Sequence, residues 1–186
     1  LAIKMDDFGL LEELFKDKLI KATEGEYGKH CIKLEETSEE NSYSITIRQT
    51  PEDAIAIKAD SFPDLKEFFN CSSEIGQCKR SDFIIIADSK LIFIELSTTR
   101  KQKKEVEQQL QGAQCVIDYC CSISDKFYNH SLLTNYHPYF VSIFNIGTNK
   151  RSERLQKVNE NKTPQDFLRI NASEHVEFRK LCNTKP

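Results

Sequence analysis

Two short apolar runs, 83–87 and 91–94, flank the polar triplet Asp88-Ser89-Lys90. Isoleucine- and phenylalanine-rich runs separated by so short a break predict a β-hairpin. With Asp88-Ser89 as a two-residue turn, Ile86 faces Leu91, Ile84 faces Phe93 and Asp82 faces Glu95 on one side. On the other side Ile85 meets Ile92, Phe83 meets Ile94 and Ser81 meets Leu96. Both faces are apolar, so the hairpin has to be covered on both sides and belongs in the middle of the fold. The opposed acids at its end need an explanation. At roughly 5 Å and an effective dielectric near 20, two carboxylates repel by about 3 kcal/mol, and like charges directly opposed weaken a sheet. A shared proton, a neighbouring Arg or Lys, or a hard divalent cation would neutralise them. A different register would instead leave Asp82 in a surface loop.

The flanking sequence predicts what covers the hairpin. Phe8, Leu11, Phe15, Leu19 and Ala22 recur at helical spacing over 7–22, with Asp6 or Asp7 as cap and Gly25 and Gly28 beyond. A strand is expected over 30–35, then a turn at 38–41. Residues 43–49 and 54–59 alternate around Thr50-Pro51-Glu52-Asp53 and read as a second hairpin. Ser61-Phe62-Pro63-Asp64 predicts a short helix through Phe69. The strongest helix is 101–122, where Gln102, Val106, Gln109, Ala113, Val116 and Cys120 form one ladder, widened by Lys103, Leu110 and Ile117. A loop over 124–138 gathers Tyr128, His130, Tyr136 and His137, with Tyr139 just beyond, aromatics for packing or for stacking on bases. Strands are expected over 139–146, 166–170 and 174–181. The expected fold is α/β (an α+β mixed sheet): a central mixed sheet containing the 82–97 hairpin, flanked by helices.

Composition narrows the class of function. At 186 residues the chain suits one unit able to bury a core unaided, with an acidic part over 1–78, a core over 79–123 and a C-terminal part over 124–186. The first part holds 17 acidic against 9 basic residues and the remainder 12 against 17. A polyanion can dock on the second half, or the two halves are simply solvated faces of opposite sign. Neither a bilayer-length apolar run nor a leader is visible, which with seven cysteines lacking any C-x-x-C pair predicts a cytoplasmic protein with mostly buried thiols. A serine elbow, phosphate-cradling glycine loop and dinucleotide fingerprint are all missing from the sequence.

Asp82, twelve intervening residues, Glu95-Leu96-Ser97 and then a basic helix with Gln108-Gln109-Leu110 together resemble the PD-(D/E)xK nuclease superfamily. Its signature is an acid starting one strand and Glu-x-Lys ending the hairpin partner. The resemblance covers roughly 75–120. It implies a restriction-endonuclease-like core in which one or two Mg²⁺ (or Mn²⁺) ions activate water against a phosphodiester of DNA, in restriction, anti-phage defence or repair. It also implies a possible homodimer or a subunit of a larger complex.

Carried over residue by residue, the resemblance makes Asp82 and Glu95 metal ligands, with the Leu96 carbonyl as a third. Gln109 reaches inward from the helix or is a buried amide. Glu12 or Glu13 matches the family's N-terminal helical acid or is an ordinary solvated residue. Ser97 stands where the family has lysine. Two replacement cations are in view: Arg80, opposite Ser97 in the same pairing, and Lys103, at the edge of the inward ladder. Arg80, Arg100, Lys101, Lys103 and Lys104 form the expected nucleic-acid contact, and Lys150, Arg151, Arg154 and Lys157 extend it or solvate a loop. The alternative that Ser97 raises is a catalytically degenerate member of this fold that binds nucleic acid or a protein partner. A protein-interaction subunit with no nucleic-acid role is a third reading.

Overall fold

The computed structural model describes residues 6–37, 42–63, 65–145 and 160–182. The hairpin forms with the expected register: β6 (Phe83–Ala87) and β7 (Lys90–Ser97) pair antiparallel, Phe83 with Ile94 and Ile86 with Leu91. Asp88 and Ser89 take φ of 49° and 54°, the left-handed pair that a tight two-residue turn requires. Polar residues with short side chains tolerate that conformation best after glycine.

Around the hairpin the chain builds two sheets. β1 (Leu19–Lys21), β5 (Ile55–Lys58), β6, β7, β8 (His137–Phe144) and β9 (Leu168–Asn171) form a six-stranded sheet in the order β1-β5-β6-β7-β8-β9. Each neighbouring pair among its first four strands is antiparallel, whereas β8 is parallel to β7 and β9 to β8. The crossover from β7 to β8 carries α2 (Lys103–Ile123), as a parallel connection requires. β2 (Thr23–Glu24), β3 (His30–Thr37), β4 (Ser42–Thr50) and β10 (His175–Glu177) form a second sheet in the order β10-β4-β3-β2.

Side-chain alternation then sorts the hairpin between two cores. Phe83, Ile85, Ile92, Ile94 and Leu96 pack with Ile32, Leu34, Ile45 and Ile47 of the second sheet. Ile84, Ile86, Leu91 and Phe93 pack with Val106, Leu110, Ala113 and Ile117 of α2 and with Leu10 and Leu11 of α1 (Asp7–Phe15). All these hairpin side chains are at most 8% exposed, so it is sandwiched as its two apolar faces demand.

Several expectations are corrected. The first helix, capped by Asp6 accepting from Gly9 N at 2.8 Å, ends at Phe15 because Lys16 turns to φ 50°. Leu19 then pairs with Ile57 in β1 instead of continuing the helical stripe. The alternating runs on either side of Thr50-Pro51-Glu52-Asp53 do not pair as a hairpin. β4 lies in the second sheet between β3 and β10, while β5 lies in the first between β1 and β6, so that turn carries the chain from one sheet to the other. The described residues between 62 and 82 form turns and bends in place of the short helix that Ser61-Phe62-Pro63-Asp64 predicts, and there Cys71 and Cys78 form a disulfide. Among the free cysteines Cys120 and Cys182 are buried, Cys31 and Cys121 are half-buried and Cys115 is exposed, which corrects the expectation of mostly buried thiols. Only 175–177 of the run 174–181 is strand. Among the described residues no helix is long and apolar enough to cross a membrane.

Candidate active site

The start of β6, the end of β7 and the end of β5 meet at one end of the central strands of the six-stranded sheet. The backbone fixes that meeting: Ala59 N, just beyond β5, donates to Asp82 O at 2.8 Å, and Ser81 N donates to Gln109 O of α2 at 2.8 Å. Gly112 permits the second approach. A Cβ there would stand 1.7 Å from the Lys79 carbonyl oxygen, so only glycine lets segment 79–81 lie against the helix.

Asp82 and Glu95 lie at this end, and the Asp82 charge acts on Glu95. Asp82 Oδ2 accepts a hydrogen bond from Leu96 N at 2.6 Å, which ties the acid to its neighbouring strand. Glu95 is fully buried. Its Oε1 lies 2.5 Å from Lys101 Nζ, while its Oε2 is buried without a hydrogen bond of normal geometry. Burial is the main cause that pushes Asp82 up to about 7, against the pull of the Leu96 amide. Burial and then the Asp82 charge push Glu95 up to about 8, against Lys101 and the Gln109 amide. Burial disfavours the Lys101 ammonium, yet Glu95 and Asp82 outweigh it and its pKa is raised.

Lys101 reaches the site because the chain turns back after β7. Ser97 O accepts from Asn145 N at 3.1 Å, Ser97 Oγ accepts from Thr99 N at 3.2 Å, and Lys101 O accepts from Arg169 Nη1 of β9 at 3.2 Å. An ammonium six positions beyond Glu95 thus supplies the carboxylate with the charge that Ser97 lacks. The replacement cations named from sequence lie elsewhere. Arg80 donates to the carbonyl oxygens of Pro63 and Phe62 at 3.0 and 3.1 Å, and Lys103 pairs with Glu107 at 3.3 Å.

Two further acids join the cluster. Glu36 arrives from β3 of the second sheet and Asp60 from the turn after β5. One carboxylate oxygen each from Glu36, Asp60 and Asp82 lies within 4.8 Å of the others. Lys58 Nζ sits 3.3 Å from Glu36 and 3.8 Å from Asp60. Burial, ahead of the attraction of Lys58, raises the Asp60 pKa. Four carboxylates against two ammonium groups leave two negative charges that protons or one divalent cation must balance. Neither Glu36 nor Asp60 carries a local sequence signal, because their approach depends on sheet-on-sheet packing.

The other named residues fall outside this cluster. Glu12 pairs with Lys21 at 2.7 Å on the surface, and Glu13 is exposed. Lys104 lies 3.8 Å from Glu74 with its side chain 69% exposed, and Arg100 sits 6.0 Å from the Phe144 ring. Lys103, Lys104 and Arg100 therefore remain on the surface beside the site. Of the loop aromatics and their neighbour, Tyr139 is buried, while His130 pairs with Asp7 at 2.7 Å and holds the loop to α1. Lys150, Arg151, Arg154 and Lys157 lie outside the described residues.

The site is apt for a hard cation on its own chemistry: carboxylate oxygens, a buried oxygen lacking a hydrogen bond, and a negative surplus. No protein-family model, curated protein or solved structure matches the chain.

Proposed function

We propose that this chain is a divalent-cation-dependent nuclease of the PD-(D/E)xK kind with a restriction-endonuclease-like core, hydrolysing phosphodiester bonds of DNA with Mg²⁺ or Mn²⁺. One observation carries the reading: Asp82 immediately precedes β6, Glu95 lies near the end of β7 in the same buried hairpin, and Glu95 holds an ammonium at 2.5 Å. A surface acid pair would need no such placement.

Asp82, Glu95 and the Leu96 carbonyl would hold the cation, which when bound supplies a Lewis acid and a more acidic water. The chain's own groups do the remainder. Lys101 places a fixed positive charge where negative charge grows on the phosphate oxygens, in a site dry enough to give that charge weight. Gln109 steadies the charged form of Glu95 from the helix. Leu96 N fixes the Asp82 carboxylate so that its second oxygen is directed by the strand pairing. Arg100, Lys103 and Lys104 supply phosphate contacts that orient the duplex without reading its sequence.

The test is cleavage of supercoiled plasmid DNA. Nicking that appears with Mg²⁺ or Mn²⁺ and vanishes with chelator supports the proposal; intact plasmid under every metal condition overturns it. The catalytically degenerate reading draws on the same ion pair, because Lys101 already satisfies Glu95 Oε1. Salt-sensitive DNA binding without nicking is its expected signature.

A further inference from the structure

The second sheet carries a cavity that the hairpin acids do not use. Ile45 and Ile47 of β4 belong to the core, so Thr46 and Arg48, which alternate with them, stand on the outward face. There they line a cavity of about 440 Å³ together with Cys31 of β3 and with Glu26, Tyr27 and Lys29 from the turn before β3. That volume falls in the range of small-molecule sites. The cavity lies at the His30 end of β3, whereas Glu36 lies near the other end, roughly 20 Å away along the strand.

Two strained residues bound this cavity. Tyr27 takes φ 59° and ψ 33°, belongs to neither core and is 95% exposed. Gln49 takes φ 58° and is the extra residue of a β-bulge, since His30 pairs with Thr50 and Cys31 with Arg48. Left-handed backbone at residues other than glycine costs free energy and gathers at ligand clamps, and bulges re-aim side chains beside sites. A tyrosine ring left in water at the rim of a cavity has a face open for stacking on a planar ligand. Charge selects the rest of that ligand. Arg48 and Lys29 bring two positive charges against the single carboxylate of Glu26. Among the described residues neither cation is in an ion pair. Glu177, opposite Arg48 in the pairing of β4 with β10, is held by Arg179 at 2.7 Å, and the Lys29 charge acts on it from further off. A guanidinium beside an ammonium is a pairing suited to phosphate oxygens.

We infer that this cavity binds a nucleoside phosphate, with the phosphate on Arg48 and Lys29 and the base stacked on Tyr27. Glu26 supplies the acceptor that an amino-bearing base requires. The site is separate from the hairpin acids and uses no metal ion, so it does not depend on the nuclease reading.

Calorimetric titration of the full chain with adenosine monophosphate in the presence of chelator tests this, with adenosine and inorganic phosphate as partial ligands. The nucleotide is expected to bind saturably, and each partial ligand at least about tenfold more weakly, because each keeps only one of the two contacts. Arg48→Gln should weaken the nucleotide by about tenfold or more. Tyr27→Ala should weaken it by about fivefold or more, while Tyr27→Phe, which keeps the stacking face, should stay within about twofold of wild type. Both side chains are exposed, so the melting temperature should hold in all three variants. Absence of saturable binding at millimolar adenosine monophosphate overturns the inference, as does affinity unchanged in both Arg48→Gln and Tyr27→Ala. Inorganic phosphate binding as tightly as the nucleotide overturns it too, because the base then contributes nothing.

Discussion

Lys101 Nζ stands 2.5 Å from Glu95 Oε1, and the carboxylate it holds is fully buried near the end of β7. The pair explains how a chain with Ser97 after Glu95-Leu96 still brings a cation to its acids. The lysine is supplied by the returning loop instead of by the strand, and Arg169 pins that loop through the Lys101 carbonyl.

The first prediction follows from the charge itself. Lys101→Met should lower cleavage by about 10²- to 10³-fold, the usual loss when one stabiliser of developing charge is removed. Mn²⁺ affinity should stay within a few-fold of wild type, because the ammonium is a partner of the ligand and not itself a ligand. Single-turnover cleavage and calorimetry measure the two quantities separately.

Stability should depend on pH in a direction set by burial. Asp82 and Glu95 are pushed up to about 7 and about 8, above the unfolded carboxylate range near 4. The folded state thus binds more protons than the unfolded one between those values, and metal-free stability should fall as pH rises from about 4 to about 8. Glu95→Gln should flatten that decline, and saturating Mn²⁺ should offset it at the alkaline end. Urea unfolding across the pH series measures both effects.

Gly112 places segment 79–81 against α2, and any Cβ there would collide with the Lys79 carbonyl. Gly112→Ala should destabilise the protein by about 2 kcal/mol or more, as over-packing against backbone does, and should reduce Mn²⁺ affinity by displacing Asp82. Denaturant midpoints and metal titration report the two consequences. Gly28→Ala, at a position with open space around it but φ of 67°, should cost about 1 kcal/mol and leave metal binding unchanged.

Salt dependence tests the surface cations. Replacing Arg100, Lys103 and Lys104 with glutamine should weaken DNA binding. The slope of log affinity against log salt should fall by about one for each phosphate that the variant no longer neutralises. Filter or fluorescence titration at several ionic strengths measures the slope.

How much of this is legible in the sequence depends on whether the cause is local. The register of β6 and β7 is set by a two-residue turn and by strict alternation on two apolar faces, so the pairing of Phe83 with Ile94, each next to one of the two acids, follows from neighbours in the chain. The α2 ladder is likewise local, and Val106, Leu110, Ala113, Val116, Ile117 and Cys120 are all buried. Leu19 shows the opposite case: its spacing continues the helical stripe of Phe8, Leu11 and Phe15, but pairing with Ile57 draws it into a strand. Thr50-Pro51-Glu52-Asp53 has the composition of a hairpin turn, and only sheet-to-sheet packing decides that it is a crossover. The convergence of Glu36 and Asp60 and the pairing of Lys101 with Glu95 are products of tertiary packing. Sequence places Lys101 in a basic cluster but not on Glu95, because the return of the loop depends on hydrogen bonds from Asn145 and Arg169.

The most direct measurement is metal-dependent cleavage of supercoiled DNA by wild type and by Glu95→Gln, each with a melting curve. The account predicts nicking by wild type with Mg²⁺ or Mn²⁺, and a folded Glu95→Gln protein at least as heat-stable as wild type that does not nick. Nicking by Glu95→Gln at the wild-type rate would contradict it.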